Sequence, residues 1–407
     1  MTNGNSWGIV GHERAVDLLQ RAIRQRRIGH AYLISGPLGV GKRTLAVRLA
    51  QALNCERLGP GAEGAMGVAG AMGVAGAMGV AGAMGVAGAM NRAPTRTDLV
   101  RAQFIAPPVI APPVIAPPVI APPESDGVDP PCRACRRCRL IESGGHPEVR
   151  IVGVEPPHRV VRVADVESIQ TDASLRAADV YRKVYVLEQA ELLHPDAANR
   201  LLKTIEEPPP SVVMVLTTVD PTATLETIVS RCQHLRLRPL QRDRLAQHLV
   251  QEDGLAQERA ELIAALAEGC VGRAKGLLGD ERPLERRARY LDELVSLLDG
   301  DRVARLQYAR TLGDRWSRDQ DSVREVLGVW LRWWRDVLLV QGGLHDRVVN
   351  LDRRAELGRL ARALSAQEAA AAVSSLRDVL QMLDQNVNAR LALDVATLDL
   401  PRPERVA

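Results

Sequence analysis

Ala31-Tyr32-Leu33-Ile34-Ser35-Gly36-Pro37-Leu38-Gly39-Val40-Gly41-Lys42-Arg43-Thr44 is the stretch on which the fold turns. Ala31–Ser35 is a short apolar run, the pattern of a buried strand. A Gly-rich loop follows, and Leu45, Leu49 and Leu53 then recur at helical spacing from Thr44 to Leu53. Strand, Gly-rich loop ending in Lys, then helix is the context of a phosphate-binding loop. Gly36, Gly39 and Gly41 let backbone N–H groups turn inward around phosphates. The helix N-terminus adds a favourable dipole, and Lys42 supplies charge to the β/γ-phosphates. Lys is scarce here, four of 53 basic residues, so a Lys in this slot carries more information than usual. The next slot, ordinarily a Ser or Thr hydroxyl for Mg²⁺, holds Arg43. Thr44 comes one residue late, about 100° further round the helix, which works against a Mg²⁺ ligand.

Outward from this loop, Val184–Leu187 and Val212–Thr218 are further buried-strand candidates, joined by a helical period at Ala197, Leu201 and Ile205. Strands alternating with helices imply a parallel sheet covered on both faces. Beyond Pro239 the pattern is helical throughout, over Leu245–Leu278 and Leu291–Leu398. The 407 residues are enough for two or three domains with real cores. A net charge of +4 is too small for a polybasic nucleic-acid protein, and 3% aromatics argue against a base-stacking surface. The opening MTNGNSWGIV has neither the basic nor the apolar region of a secretory signal, so a reduced, cytoplasmic protein is expected.

Residues 65–88 are four copies of AMGVAG, and 105–119 are three copies of IAPPV. Neither period matches a solenoid. The first tract is long enough to span a bilayer but is mostly Gly and Ala. Its Gly period lacks the Pro of collagen. The paired prolines of the second forbid helix and sheet interior. Residues 56–131 therefore read as a disordered insert.

Cys132, Cys135 and Cys138 form two overlapping C-x-x-C pairs, a spacing that lets thiolates converge on one tetrahedral Zn²⁺. Candidates for the fourth ligand are Cys55, Cys232, Cys270 and His146, and spacing does not choose between them.

The block Asn199-Arg200-Leu201-Leu202-Lys203-Thr204-Ile205-Glu206-Glu207-Pro208-Pro209 and the triplet Ser230-Arg231-Cys232 strongly resemble bacterial clamp-loader AAA+ proteins. These are the gamma/tau and delta-prime subunits of the DNA polymerase III holoenzyme. The likeness also takes in the opening GIVGHERAVDLLQRAIRQRRIGHAYLISGP and is weakest after about residue 285. It implies an α/β P-loop AAA+ domain over 1–238 that carries a zinc module and the insert. A small helical lid over 239–284 and a helical collar over 285–400 follow.

The resemblance also implies residue roles. Cys55, in Ala52-Leu53-Asn54-Cys55-Glu56, becomes the fourth ligand of a structural Zn²⁺ with Cys132, Cys135 and Cys138. Glu188 takes the place of the metal-organising acid, and Thr217 and Thr218 the sensor-1 strand end. Arg273 lies near the sensor-2 position, with an ordinary surface arginine as the alternative. Arg231 becomes an arginine finger supplied in trans to a neighbour's ATP. Gamma-type subunits carry Asp-Glu where this chain has Glu188-Gln189. Gln cannot act as a general base, so this chain looks like the non-hydrolysing delta-prime type, its ATP/Mg²⁺ site degenerate. The implied partners are gamma/tau, delta, and through the complex a sliding clamp and primed DNA, at the replisome. The rival expectations are an active gamma/tau-like ATPase and a zinc-containing nucleic-acid-binding module.

Overall fold

The computed structural model describes residues 7–58, 130–154, 160–175, 182–385 and 387–402. Both repeat tracts, and nearly all of the expected disordered insert, lie outside the described residues. Its two edges do not: Glu56–Leu58 forms a 3-10 turn and belongs to the folded part.

Five strands form one parallel sheet: β1 (Ala31–Ser35), β2 (Val149–Val152), β3 (Lys183–Leu187), β4 (Val212–Thr218) and β5 (Gln233–Arg236), in the order β2-β3-β4-β1-β5. Tyr32 pairs with Val215, and Val184 with Val213. Because side chains alternate along a strand, Tyr32, Ile34, Val184, Val186, Val213 and Val215 share one face. That face packs on α1 (Glu13–Arg24) and α2 (Lys42–Asn54) through Val16, Leu19, Leu45 and Leu49. Leu33, Tyr185, Leu187, Met214 and Leu216 point the other way, onto α4 (Val163–Ser174) and α5 (Pro195–Glu206). Covered on both sides, β1, β3 and β4 are buried along their whole length, which is why they read as unbroken apolar runs. The edge strands read differently. In β5 only Leu235 is buried, and in β2 only Val149.

After β5 and the four-residue helix α6 (Glu226–Val229) that precedes it, the described chain is helical. Helices α7 (Arg242–Asp253), α8 (Gln257–Leu266) and α9 (Val271–Gly279) enclose a small core of Leu245, Leu249, Ile263, Ala264 and Ala274. A larger core is built by α10 (Arg282–Asp299), α11 (Arg302–Trp316), α12 (Gln320–Gln341), α13 (Arg354–Ala363), α14 (Ala366–Asp384) and α15 (Ala389–Leu398). At its centre Trp330, Trp333 and Trp334 of α12 are fully buried, and Trp330 Nε1 donates to Tyr290 O at 3.0 Å. Arg242 ties the two helical groups together. Arg242 of α7 donates to Asp346 O at 2.7 Å and to Val348 O. That connection is pinned in turn by the buried Asp336, whose Oδ2 accepts from the N–H groups of Val349 (2.9 Å) and Asn350 (2.7 Å). No helix among the described residues is long and apolar enough to cross a membrane.

Candidate nucleotide and metal sites

The loop Gly36–Gly41 joins β1 to α2 at the carboxyl edge of the sheet, where open parallel sheets place their ligands. Gly39 sits at φ +76°, and a Cβ there would lie 2.8 Å from the backbone nitrogen of Arg273. Only glycine fits so close an approach at that φ. Lys42 Nζ donates to Gly36 O at 2.6 Å and Pro37 O at 3.0 Å, folding back onto its own loop. Burial holds its pKa below the usual lysine value, against the opposing pull of Glu191.

Arg43 Nη1 lies 3.1 Å from Glu188 Oε2. The residue in the hydroxyl slot and the acid at the end of β3 thus engage each other. Thr44 is exposed one position further on. Gln189 adopts a left-handed conformation at φ 57° and donates its N–H to Thr217 Oγ1 at 3.3 Å, which places Thr217 against the β3 turn. Thr218 is turned away. Its hydroxyl donates to Asp220 O at 2.9 Å and lies 3.2 Å from Thr224 Oγ1, so it braces the turn after β4.

Three neighbours of the loop escaped the sequence reading. His12 Nε2 bonds Val40 O at 2.9 Å. Gly272 N–H donates to Gly39 O at 2.7 Å, bringing the start of α9 onto the loop. Glu191 Oε1 accepts from Val219 N–H at 3.2 Å, while its Oε2 is buried without a partner. Only Glu191 had a visible signal, as a second acid three residues past Glu188. Arg273 pairs with Glu268 at 3.2 Å, and its stem packs against Gly39.

Arg231 stands apart from the loop. Nε pairs with Glu206 Oε1 of α5 at 2.8 Å, and Nη1 donates to Thr227 O at 3.1 Å. The side chain remains 40% exposed.

The sulfurs of Cys55, Cys132, Cys135 and Cys138 all lie within 4.8 Å of one another. Cys55 ends α2, and Cys135 caps the short helix α3 (Arg136–Glu142). A polar network joins the two helices. Gln51 Nε2 donates to Cys138 O at 2.7 Å and to Glu142 Oε2 at 2.8 Å, and Arg48 pairs with Glu142. The N–H groups of Cys135 and Cys138 donate to Cys132 Sγ (3.3 Å) and Cys135 Sγ (3.4 Å). Hydrogen bonding from the Cys138 thiol pulls the Cys55 pKa down, and the Cys138 pKa rises in response. Four thiolates about 2.3 Å from one tetrahedral ion would sit about 3.8 Å apart. The cluster can therefore hold a metal ion, and its all-sulfur donor set suits zinc. His146 instead accepts from Glu148 N–H at 3.2 Å. Cys270 is buried in the core beneath α2, and burial pushes the Cys232 thiol up to about 12.

A parallel sheet ordered β2-β3-β4-β1-β5, with a phosphate loop after β1 and helices on both faces, is an α/β P-loop fold of the AAA+ type, followed here by helical bundles. A family model described as DNA polymerase III, delta subunit, matches residues 11–65 and 120–241. Among named relatives, the chain is similar to delta-prime subunits of DNA polymerase III. It is 25% identical over 380 residues to DNA polymerase III subunit delta' of Bacillus subtilis, covering 92% of each chain. A delta' subunit from Pseudomonas aeruginosa is 28% identical over 50% of this chain and 41% of its own. The tau subunit of Escherichia coli is 27% identical over 66% of this chain, but only 32% of tau is matched.

Proposed function

We propose that this chain is a non-hydrolysing, delta-prime-like subunit of a DNA polymerase III clamp loader. In this reading it joins gamma/tau and delta subunits in an ATP-driven complex that places a sliding clamp on primed DNA. The observation that carries the non-hydrolysing reading is the Arg43–Glu188 pair beside Gln189. One pocket has lost both the hydroxyl that ligates Mg²⁺ and the carboxylate that activates water. Arg231 completes a neighbour's ATP site by stabilising charge on the γ-phosphate. Its 40% exposure and its position away from this chain's own loop support that role.

Residues 239–284 act as the lid and 285–400 as the collar. The outer face of α15 supports assembly through the collar. Leu391, Val395 and Leu398 are exposed at i, i+4, i+7 spacing. Val303 and Leu306 of the adjoining α11 are exposed as well. Zinc at Cys55, Cys132, Cys135 and Cys138 is structural, since four protein ligands leave no open position. The test is co-purification with gamma/tau and delta, followed by mass measurement of the complex. A stoichiometric assembly is expected, and a chain that stays monomeric beside all of them would end this reading.

A further inference from the structure

The residues that should hold Mg²⁺ do not fit it. The hydroxyl slot carries a guanidinium, and the acid that should organise the metal is 3.1 Å from that guanidinium. A divalent cation entering here would have to break the pair and sit beside a fixed positive charge. The carboxylates nevertheless remain balanced. Glu188 faces Arg43, and Glu191, with one oxygen buried and unpartnered, lies close enough to Lys42 to oppose the lowering of its pKa by burial.

We propose that Arg43 replaces Mg²⁺ as the counter-charge of this phosphate loop, so that the loop takes the polyphosphate of a nucleotide free of divalent metal. Three features of the chain favour it. Arg43 is on the surface, with 63% of its side chain exposed, and only one of its five N–H donors is committed to Glu188. The planar fork that remains matches phosphate oxygens, as a lysine would not. Lys42 is held by two loop carbonyls alone and swings from them to an incoming phosphate. The first N–H groups of α2 have no acceptor within their own helix and point into the same space. Binding of this kind breaks no bond and needs no activated water, in keeping with Gln189.

The experiment is calorimetric titration of the full zinc-loaded chain with ATP and, separately, inorganic tripolyphosphate. Metal-free buffer is prepared over chelating resin, so that no free chelator strips the zinc, and each titration is repeated with excess Mg²⁺. The wild type should bind without Mg²⁺ and gain nothing from its addition. Equal affinity for the two probes would assign the site to the phosphate chain, and preference for ATP would assign it to the nucleotide; either supports the proposal. Arg43→Ser should weaken metal-free binding about tenfold or more, the loss of one charge-assisted contact, and should make binding respond to Mg²⁺. Arg43→Gln should weaken metal-free binding without gaining that response. Both variants alter an exposed side chain, and circular dichroism with zinc stoichiometry checks their fold. Wild-type binding that appears or tightens with Mg²⁺, or no binding of either probe without it, would overturn the proposal. The assembly test above is independent of these outcomes, so the two readings fail separately.

Discussion

The N–H of Gly272 donates to Gly39 O at 2.7 Å, so the first turn of α9 rests directly on the phosphate loop. The contact is as close as two backbones allow. A Cβ on Gly272 would lie 2.9 Å from Gly39 O, and one on Gly39 would meet Arg273 at 2.7 Å. The loop and the α7–α9 unit are therefore one packed joint. Gly272→Val should destabilise the chain by about 1–3 kcal/mol through overpacking. Gly39→Ala adds a left-handed conformation costing about 1–2 kcal/mol. Urea midpoints of the two variants check this, and a wild-type midpoint for both would mean the joint opens freely.

That joint was invisible in the sequence, and the reason is general. Strands β1, β3 and β4 were legible because burial on both faces writes an unbroken apolar run. Edge strands β2 and β5 carry Arg150, Gln233, His234 and Arg236, so no periodicity marks them. The phosphate loop and the C-x-x-C pairs were legible because their chemistry needs fixed local spacing. Partners set by topology were not: Arg43 and Glu188 lie 145 positions apart. The choice of Cys55 over His146 came from the resemblance, and the folded structure gives its physical basis in the Gln51–Cys138 bond between α2 and α3.

Zinc removal should unfold the α2–α3 corner first. Binding energy at a four-thiolate site is also folding energy, and the network of Arg48, Gln51 and Glu142 depends on the same corner. Cys55→Ser should lower both zinc content and thermal midpoint. Unchanged zinc stoichiometry and affinity, measured by metal analysis and chelator competition, would show that Cys55 is not a ligand.

Replacing residues 59–129 by a short linker should leave the fold and zinc site intact. The flanking residues are already brought together, with Arg137 N–H donating to Glu56 Oε1 at 3.3 Å. Each halving of a loop also relieves about 0.6 kcal/mol of closure entropy. Circular dichroism, zinc analysis and assembly with gamma/tau report the result. Aggregation or failure to assemble would assign the repeats a role.

The isolated chain should release no phosphate from ATP above the level of a Lys42→Ala control. Gln189 offers no base, and Arg43 occupies the metal hydroxyl slot. Steady-state turnover abolished by Lys42→Ala would reverse this reading and favour an active gamma-type ATPase.

The last prediction concerns Arg231 and Glu206. Their 2.8 Å pair joins two half-exposed side chains, and such surface pairs contribute about 0–1 kcal/mol. Arg231→Ala should therefore leave the stability of the chain nearly unchanged. In the assembled loader it should still lower clamp- and DNA-stimulated ATPase. Loss of the finger in single-site GTPases reaches about 10³-fold or more; under the proposed trans role the other sites would keep their own fingers, so the drop should be smaller. Arg231→Lys should rescue poorly, because a point charge lacks the planar fork. Glu206→Gln separates positioning from charge. It loosens the tether while keeping Arg231, so turnover should fall less than in Arg231→Ala, with assembly unchanged. The measurement is ATP turnover by a reconstituted complex beside a pull-down that confirms assembly. Full turnover from an assembled Arg231→Ala complex would show that Arg231 only braces α5 against α6, and the trans-acting role would have to be given up.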